Sequence, residues 1–224
     1  MNRRRIIFSL YFISIFFDIY GQINEHYWLV FIFKSLEMPL LAYYYYQSRF
    51  PKIEIIDRLL LLSIAISFLG IWESYLLNPN AFTINLSSGI YIIEGQINLF
   101  ILSKLNKYSH TSNKNDSWRF GVALIIAISF IYLLFPRFAT LTQVLVMIIM
   151  IQLGLTIIYG FLKKGIHYAI SLSIITIILS NILSVSGVFL IPIRNDYLWV
   201  MGLAYISKLL FVEGVLKTLE SINK

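Results

Sequence analysis

The side chains in this sequence with chemistry to offer are those standing where a charge is costly: Lys34, Glu37, Glu73, Glu94 and Lys208. Each interrupts a long apolar run, and an ionisable group near the middle of a bilayer costs about 2.5–3.5 kcal/mol on insertion scales. Such a group normally faces protein or water and has a task. A carboxyl group kept protonated by burial can serve as a general acid, a second ionised carboxylate can guide water, and an ammonium can hold a phosphate. Lys34 and Glu37 are three residues apart, which puts them on one helix face and close enough to pair. Tyr91 and Asn98 share a helix face with Glu94. Ser180 and Asn181 add hydroxyl and amide groups in a further run, and Asp18 closes the first one, where it reads as interfacial. With no cysteine in the chain, thiol catalysis, disulfides and cysteine-ligated metals are excluded, and neither a metal site nor a cofactor is expected.

The elements that must position these residues are apolar runs of spanning length. They occur eight times, at residues 6–20, 28–46, 59–77, 82–105, 120–135, 141–162, 168–191 and 198–215. Hydrophobic residues make up 58% of the chain and charged residues 13%, with a mean hydropathy of +0.78. A soluble domain of this length could not cover so much apolar surface. Hydrocarbon accepts it, provided each segment satisfies its own backbone hydrogen bonds, as long helices do. The sequence therefore predicts an all-α, polytopic transmembrane helical bundle of about eight spans, forming one integral membrane domain over residues 1–224. The first run has no small-residue cleavage site behind it and reads as a retained span. Connections are short and carry turn formers, as in Asn78-Pro79-Asn80 and Arg194-Asn195-Asp196, and the polar stretch at 106–117 is too short to fold alone.

Basic residues set the expected orientation. With the amino terminus inside, the inner segments hold Arg3, Arg4, Arg5, Arg49, Lys52, Arg58, Lys104, Lys107, Lys114, Arg119, Lys163, Lys164, Lys217 and Lys224, against Arg137 and Arg194 outside. That asymmetry places both termini in the cytoplasm, in a cell such as a bacterium whose inner membrane would hold the chain. It also accounts for the formal net charge of +7 as topology, so nucleic acid drops out as a partner and membrane lipids take its place.

In this orientation the polar groups of several runs fall between the midplane and the outer interface. One pocket open to the outer leaflet would collect Lys34, Glu37, Glu94 and Lys208, with Tyr91 and Asn181 on its wall. Each residue has a plainer alternative. Lys34 can snorkel outward, Glu73 can lie among headgroups, and Asn181 can be helix–helix glue. Glu94 and Lys208 lie too deep to snorkel cheaply.

The segment Lys34-Ser35-Leu36-Glu37-Met38-Pro39-Leu40-Leu41 resembles the Lys-Pro-Leu-x-Met-Pro-Leu-Leu stretch of the YhhN-like membrane proteins, the lysoplasmalogenase family. Ser67-Phe68-Leu69-Gly70 resembles its Ser-x-x-Gly stretch, residues 91–100 fall where the family has an aromatic–Ala-His–Tyr helix, and Leu179-Ser180-Asn181 falls at its Leu-Ser-Asp. The resemblance implies eight spans and hydrolysis of the vinyl-ether bond of a lysophospholipid to an aldehyde and a glycerophospho-base. It also has departures: Ile71 stands where the family carries Asp, Asn181 replaces a second Asp, and the family His has no counterpart, although Glu94 and Gln96 lie nearby. A relocated acid would then be Glu94 or Glu73, with Lys34, Glu37, Tyr91, Asn98, Asn181 and Lys208 holding the substrate. The alternative is a non-catalytic binder of a lipid or other amphiphile on the same fold. Transport has little support without paired Gly/Pro-broken helices, and an even span count with an inside amino terminus argues against a retinal Schiff base at Lys208.

Overall fold

The computed structural model describes residues 3–76, 81–108, 117–134, 140–189 and 196–222. They form eight helices: α1 (Arg3–Ile23), α2 (Tyr27–Arg49), α3 (Ile55–Leu76), α4 (Ala81–Tyr108), α5 (Ser117–Leu134), α6 (Thr140–Gly160), α7 (Tyr168–Phe189) and α8 (Asp196–Ile222). No strand occurs among the described residues, and the architecture is the all-α bundle expected from the apolar runs. Among the described residues, α1, α3, α4, α6 and α8 are long and apolar enough to cross a membrane. The described apolar stretches of α5 and α7, at Ser117–Ser129 and Tyr168–Ser184, are shorter. α2 has the length, but Lys34, Glu37 and the run Tyr43 to Tyr46 lower its hydropathy. Large apolar side chains point outward, among them Phe16 (63% exposed), Ile125 (66%), Trp28 (81%) and Tyr132 (82%). Water would penalise that surface and lipid does not.

The helices fall into two compact units, one of α1, α2, α7 and α8 and one of α3 to α6. Lipid tails are as apolar as leucine, so small residues and hydrogen bonds, more than hydrophobic drive, hold such helices together. In the first unit, α1 turns into α2 through Asn24, Glu25 and His26. The Asn24 amide donates to the Tyr20 carbonyl at 2.8 Å, the His26 N–H donates to Gly21 O at 2.7 Å, and Glu25 takes a left-handed φ of 57°. These bonds satisfy carbonyls that the end of α1 leaves open. A Cβ on Gly21 would stand 3.0 Å from Val30 Cγ2, so the missing side chain lets α2 fold back closely. α7 and α8 approach closely at Gly214, where a Cβ would meet the Ile170 backbone nitrogen at 2.8 Å. Further along, Ser173 Oγ donates to Ser207 O at 2.8 Å and Ser207 Oγ to Ser173 O at 3.0 Å, while Ser180 Oγ donates to Val200 O at 2.8 Å.

In the second unit α4 packs against α3 and α6, and α5 packs against α6. Gln152 on α6 reaches across to α4, donating to Ile92 O at 2.9 Å, beside the bare face of Gly95. Thr142 Oγ1 donates to Asn85 Oδ1 at 3.0 Å. Beyond the end of α6, Arg119 donates from Nε to Phe161 O and from Nη2 to Leu162 O, each at 2.6 Å. The cation thereby satisfies carbonyls at and just past a helix C-terminus, where positive charge is favoured.

Candidate functional site

Lys34 and Glu37 lie one turn apart on α2, and both side chains are buried, Glu37 completely. Burial follows from position: both sit on the stripe Val30, Lys34, Glu37, Met38, Leu41 and Tyr45, which α2 turns into its own unit. Lys34 and Glu37 lie within electrostatic reach of each other, and a third group joins them. Asp18 of α1 lies within electrostatic reach of both Lys34 and Glu37. Asp18 has no exposed surface, a burial that reading its depth as interfacial does not reveal. It stands five residues before the end of α1, about 8 Å along the axis, and at that depth α8 covers it.

α8 supplies the group that links the carboxylates. The Tyr205 hydroxyl donates to Asp18 Oδ2 at 3.2 Å and also stands beside Glu37. Tyr205 is held in turn through its carbonyl, which accepts the Tyr11 hydroxyl of α1 at 3.2 Å. Tyr11 is itself buried, in the field of Glu37. Among the described residues, neither oxygen of Glu37 meets a hydrogen-bond partner in good geometry. Three helices thus enclose two carboxyls, one ammonium and two phenols in a buried setting. In a low dielectric this constellation can hold and move a proton, and it presents a cation to an anionic group. No group of three or more His, Cys, Asp or Glu suited to a metal occurs among the described residues.

The remaining expected site residues are distributed as follows. Lys208 belongs to the same unit, half-buried one turn beyond Tyr205 on α8. Asn181 on α7 is half-buried, and its neighbour Ser180 makes the helix–helix bond. Glu94, Asn98 and Tyr91 belong to the second unit. There Asn98 donates to Glu94 Oε1 at 3.4 Å and accepts Ser63 Oγ at 2.8 Å, with Glu94 buried and Tyr91 half-buried on the same face of α4. Glu73 is on α3, and its side chain lies outside the described residues.

Sequence reasoning missed Asp18 as a buried group and missed Tyr205 and Tyr11 altogether. For Asp18 the available signal was its depth, since the apolar run continues past it through Ile19 and Tyr20. For Tyr205 the signal was its spacing of one turn from Lys208. No family model, curated protein or solved structure matches the chain, so the site is read from its own residues.

Proposed function

We propose that this chain is an integral membrane hydrolase of the YhhN-like, lysoplasmalogenase type, cleaving the vinyl-ether bond of a lysophospholipid. The observation that carries the reading is the wholly buried Glu37 carboxyl with a second carboxyl, Asp18, and an ammonium, Lys34, in its field. Vinyl-ether hydrolysis needs such a set. Glu37 delivers a proton to the vinyl carbon remote from oxygen, leaving an oxocarbenium-like cation. Asp18 takes a proton from the water that adds to that cation. The hemiacetal then collapses to aldehyde and alcohol, its hydroxyl proton passing to the departing oxygen. Lys34 holds the phosphate. This assignment moves the acid from Glu94 or Glu73 to Glu37, and the Lys34 to Leu41 resemblance supports it, because Glu37 lies within that segment.

The same reading sets eight spans in a bacterial inner membrane with both termini cytoplasmic, and the basic asymmetry supports it. The acid pair then lies in the outer half of the bilayer, within reach of a lysolipid headgroup. Single cysteines at Asn80, Asn113 and Asn195 in this cysteine-free chain test the orientation. Positions 80 and 195 label from outside and 113 only after permeabilisation, whereas external labelling of 113 reverses the orientation. Function is tested by incubating the purified protein with lysoplasmalogen and with an ordinary lysophospholipid. Aldehyde is released from the first only, and Glu37→Gln lowers turnover by about 10²–10⁴-fold, the usual worth of general acid catalysis. Binding of either lipid with no aldehyde from the parent protein replaces the hydrolase reading with that of a non-catalytic amphiphile binder.

A further inference from the structure

In the second unit, two contacts fix how α3 lies along α4. Ser63 Oγ donates to Asn98 Oδ1 at 2.8 Å, and a Cβ on Gly70 would stand 3.2 Å from Ile90 Cγ2. The helices therefore run antiparallel, and one turn on from Ser63 the register sets Ser67 level with Glu94. Ser63, Ser67 and Glu94 are all buried. In the other direction the same register sets Leu60 level with Ile101 and Ile56 level with Leu105, all four wholly buried. The seam is thus polar around Glu94 and closed by packed hydrocarbon toward the end of α4. Toward the start of α4 the polar stripe continues through Tyr91, Ser87 and Thr83, which helical spacing puts on the face of Glu94.

The groups gathered at this level are oxygens. Ser67 Oγ donates to Ser63 O at 2.9 Å, and Ser63 Oγ donates to Asn98 Oδ1. A hydroxyl oxygen keeps lone pairs after donating, and an amide oxygen can accept twice. Asn98 Nδ2 stands 3.4 Å from Glu94 Oε1, longer than the about 2.7–2.9 Å of a charge-assisted bond, so this amide grips the carboxyl only weakly. Carboxylate, amide and hydroxyl oxygens are the ligands that hard cations select. Charge decides which cation. Glu94 lies near the middle of Asn85–Lys107, a stretch long and apolar enough to cross a membrane. One carboxylate among neutral oxygens becomes a neutral site with a monovalent ion, whereas a divalent ion would leave a net charge at a costly depth. We propose that Glu94, Asn98, Ser63 and Ser67 form a sodium site between α3 and α4, entered along the polar stripe of α4. The ion seats against the Glu94 carboxylate, with the amide and serine oxygens in its shell and water from the stripe completing it. This site lies outside the Asp18, Lys34 and Glu37 cluster and does not depend on the hydrolase reading.

The test uses the purified full-length protein, with choline chloride holding ionic strength constant. In equilibrium dialysis against radioactive sodium, the parent binds Na⁺ saturably, a single ion per chain. Its unfolding midpoint rises with Na⁺ and not with choline, because an ion that binds only the folded chain stabilises it. Glu94→Gln keeps the size and hydrogen bonding of the side chain, removes the charge, and abolishes both effects. Ser67→Ala removes one neutral ligand and weakens Na⁺ affinity about tenfold. Glu37→Gln, in the first unit, leaves Na⁺ binding as it is in the parent. A parent without saturable Na⁺ binding overturns the inference, as does binding that survives Glu94→Gln or is lost in Glu37→Gln. Displacement of the bound ion by K⁺ as readily as by Na⁺ overturns the assignment to sodium. If Glu94→Gln does not fold, Ser67→Ala decides, and an affinity equal to that of the parent overturns the site.

Discussion

The two helical units use buried polar groups in opposite ways. In the second unit the polar side chains between helices are mostly neutral and paired, although among the described residues Gln152 Oε1 meets no hydrogen-bond partner in good geometry. Gln152 gives to Ile92 O, Thr142 to Asn85 and Ser63 to Asn98, which in turn gives to Glu94. Neutral bonds of this kind average only about 0.6 kcal/mol in a membrane, and their service is to fix which faces meet. In the first unit α7 and α8 are joined by matched serines, but α1, α2 and α8 close around Asp18, Lys34, Glu37 and Tyr205. One of those groups, Glu37, lacks a hydrogen-bond partner in good geometry. Matched neutral groups are what packing requires. A charged cluster with an unmatched acid costs stability, and under the proposed function a poised proton is what offsets that cost.

The comparison breaks first at the acids. Glu37→Gln is expected to abolish most turnover, by the 10²–10⁴-fold given above, while Glu94→Gln in the second unit changes it little, because an amide serves Asn98 as well as a carboxylate does. Aldehyde release measured on both variants decides between them. The reverse pattern would return the acid to Glu94 and make the first unit's cluster a structural network.

A smaller effect, in stability, distinguishes how each unit packs. A Cβ at Gly214 meets backbone, the Ile170 nitrogen at 2.8 Å, whereas at Gly95 it meets only the end of a side chain, Gln152 Oε1 at 2.7 Å. Backbone cannot step aside without moving α7. Gly214→Ala is therefore expected to cost about 1–3 kcal/mol. Gly95→Ala should cost about what a membrane hydrogen bond is worth, roughly 0.6 kcal/mol. Unfolding of the purified variants in denaturing detergent measures both, and a costlier Gly95→Ala would mean that Gln152 is the more rigid partner.

The smallest expected effect is a pH dependence at the start of α7. His167 Nδ1 accepts the Ala169 N–H at 3.2 Å, and the His167 backbone N–H donates to Thr218 Oγ1 at 3.0 Å. Accepting at Nδ1 requires a neutral ring with its proton on Nε2. Desolvation and then Lys217 hold the imidazole below its ordinary range, with Glu213 opposing them. Because the folded value lies below the unfolded one of about 6.5, the unfolded chain takes up the proton first as the medium acidifies. The stability this contributes is complete above about pH 6.5 and is lost as pH falls through the folded value. His167→Asn keeps an acceptor that does not titrate, so its unfolding midpoint should vary less between pH 7.5 and 5 than that of the parent. Equal slopes would remove His167 as the source.

Much of this molecule was legible without coordinates. Every apolar run became a helix, with ends displaced by a few residues where polar side chains continue the turn. α8 runs on through Lys217, Thr218 and Glu220 to Ile222 because those residues are good or adequate helix formers past the apolar stretch. The spacing of Lys34 and Glu37 put them on one face of α2, and their burial together followed. Hydropathy integrates along the chain, and in a bilayer depth along a helix is nearly the whole of what it senses. What it does not sense is azimuth, the direction in which a helix turns a given residue, or which neighbour covers it. Asp18 read as interfacial because one helix alone gives it only a depth; α8 lying over it, with Tyr205 aimed at its carboxylate, is what makes it part of a site. The helices and their charges were thus determined by sequence alone. Which carboxyl meets which phenol was decided by the packing of α1 and α2 against α8, because a hydrogen bond depends on distance and direction between segments that lie 187 residues apart in the chain.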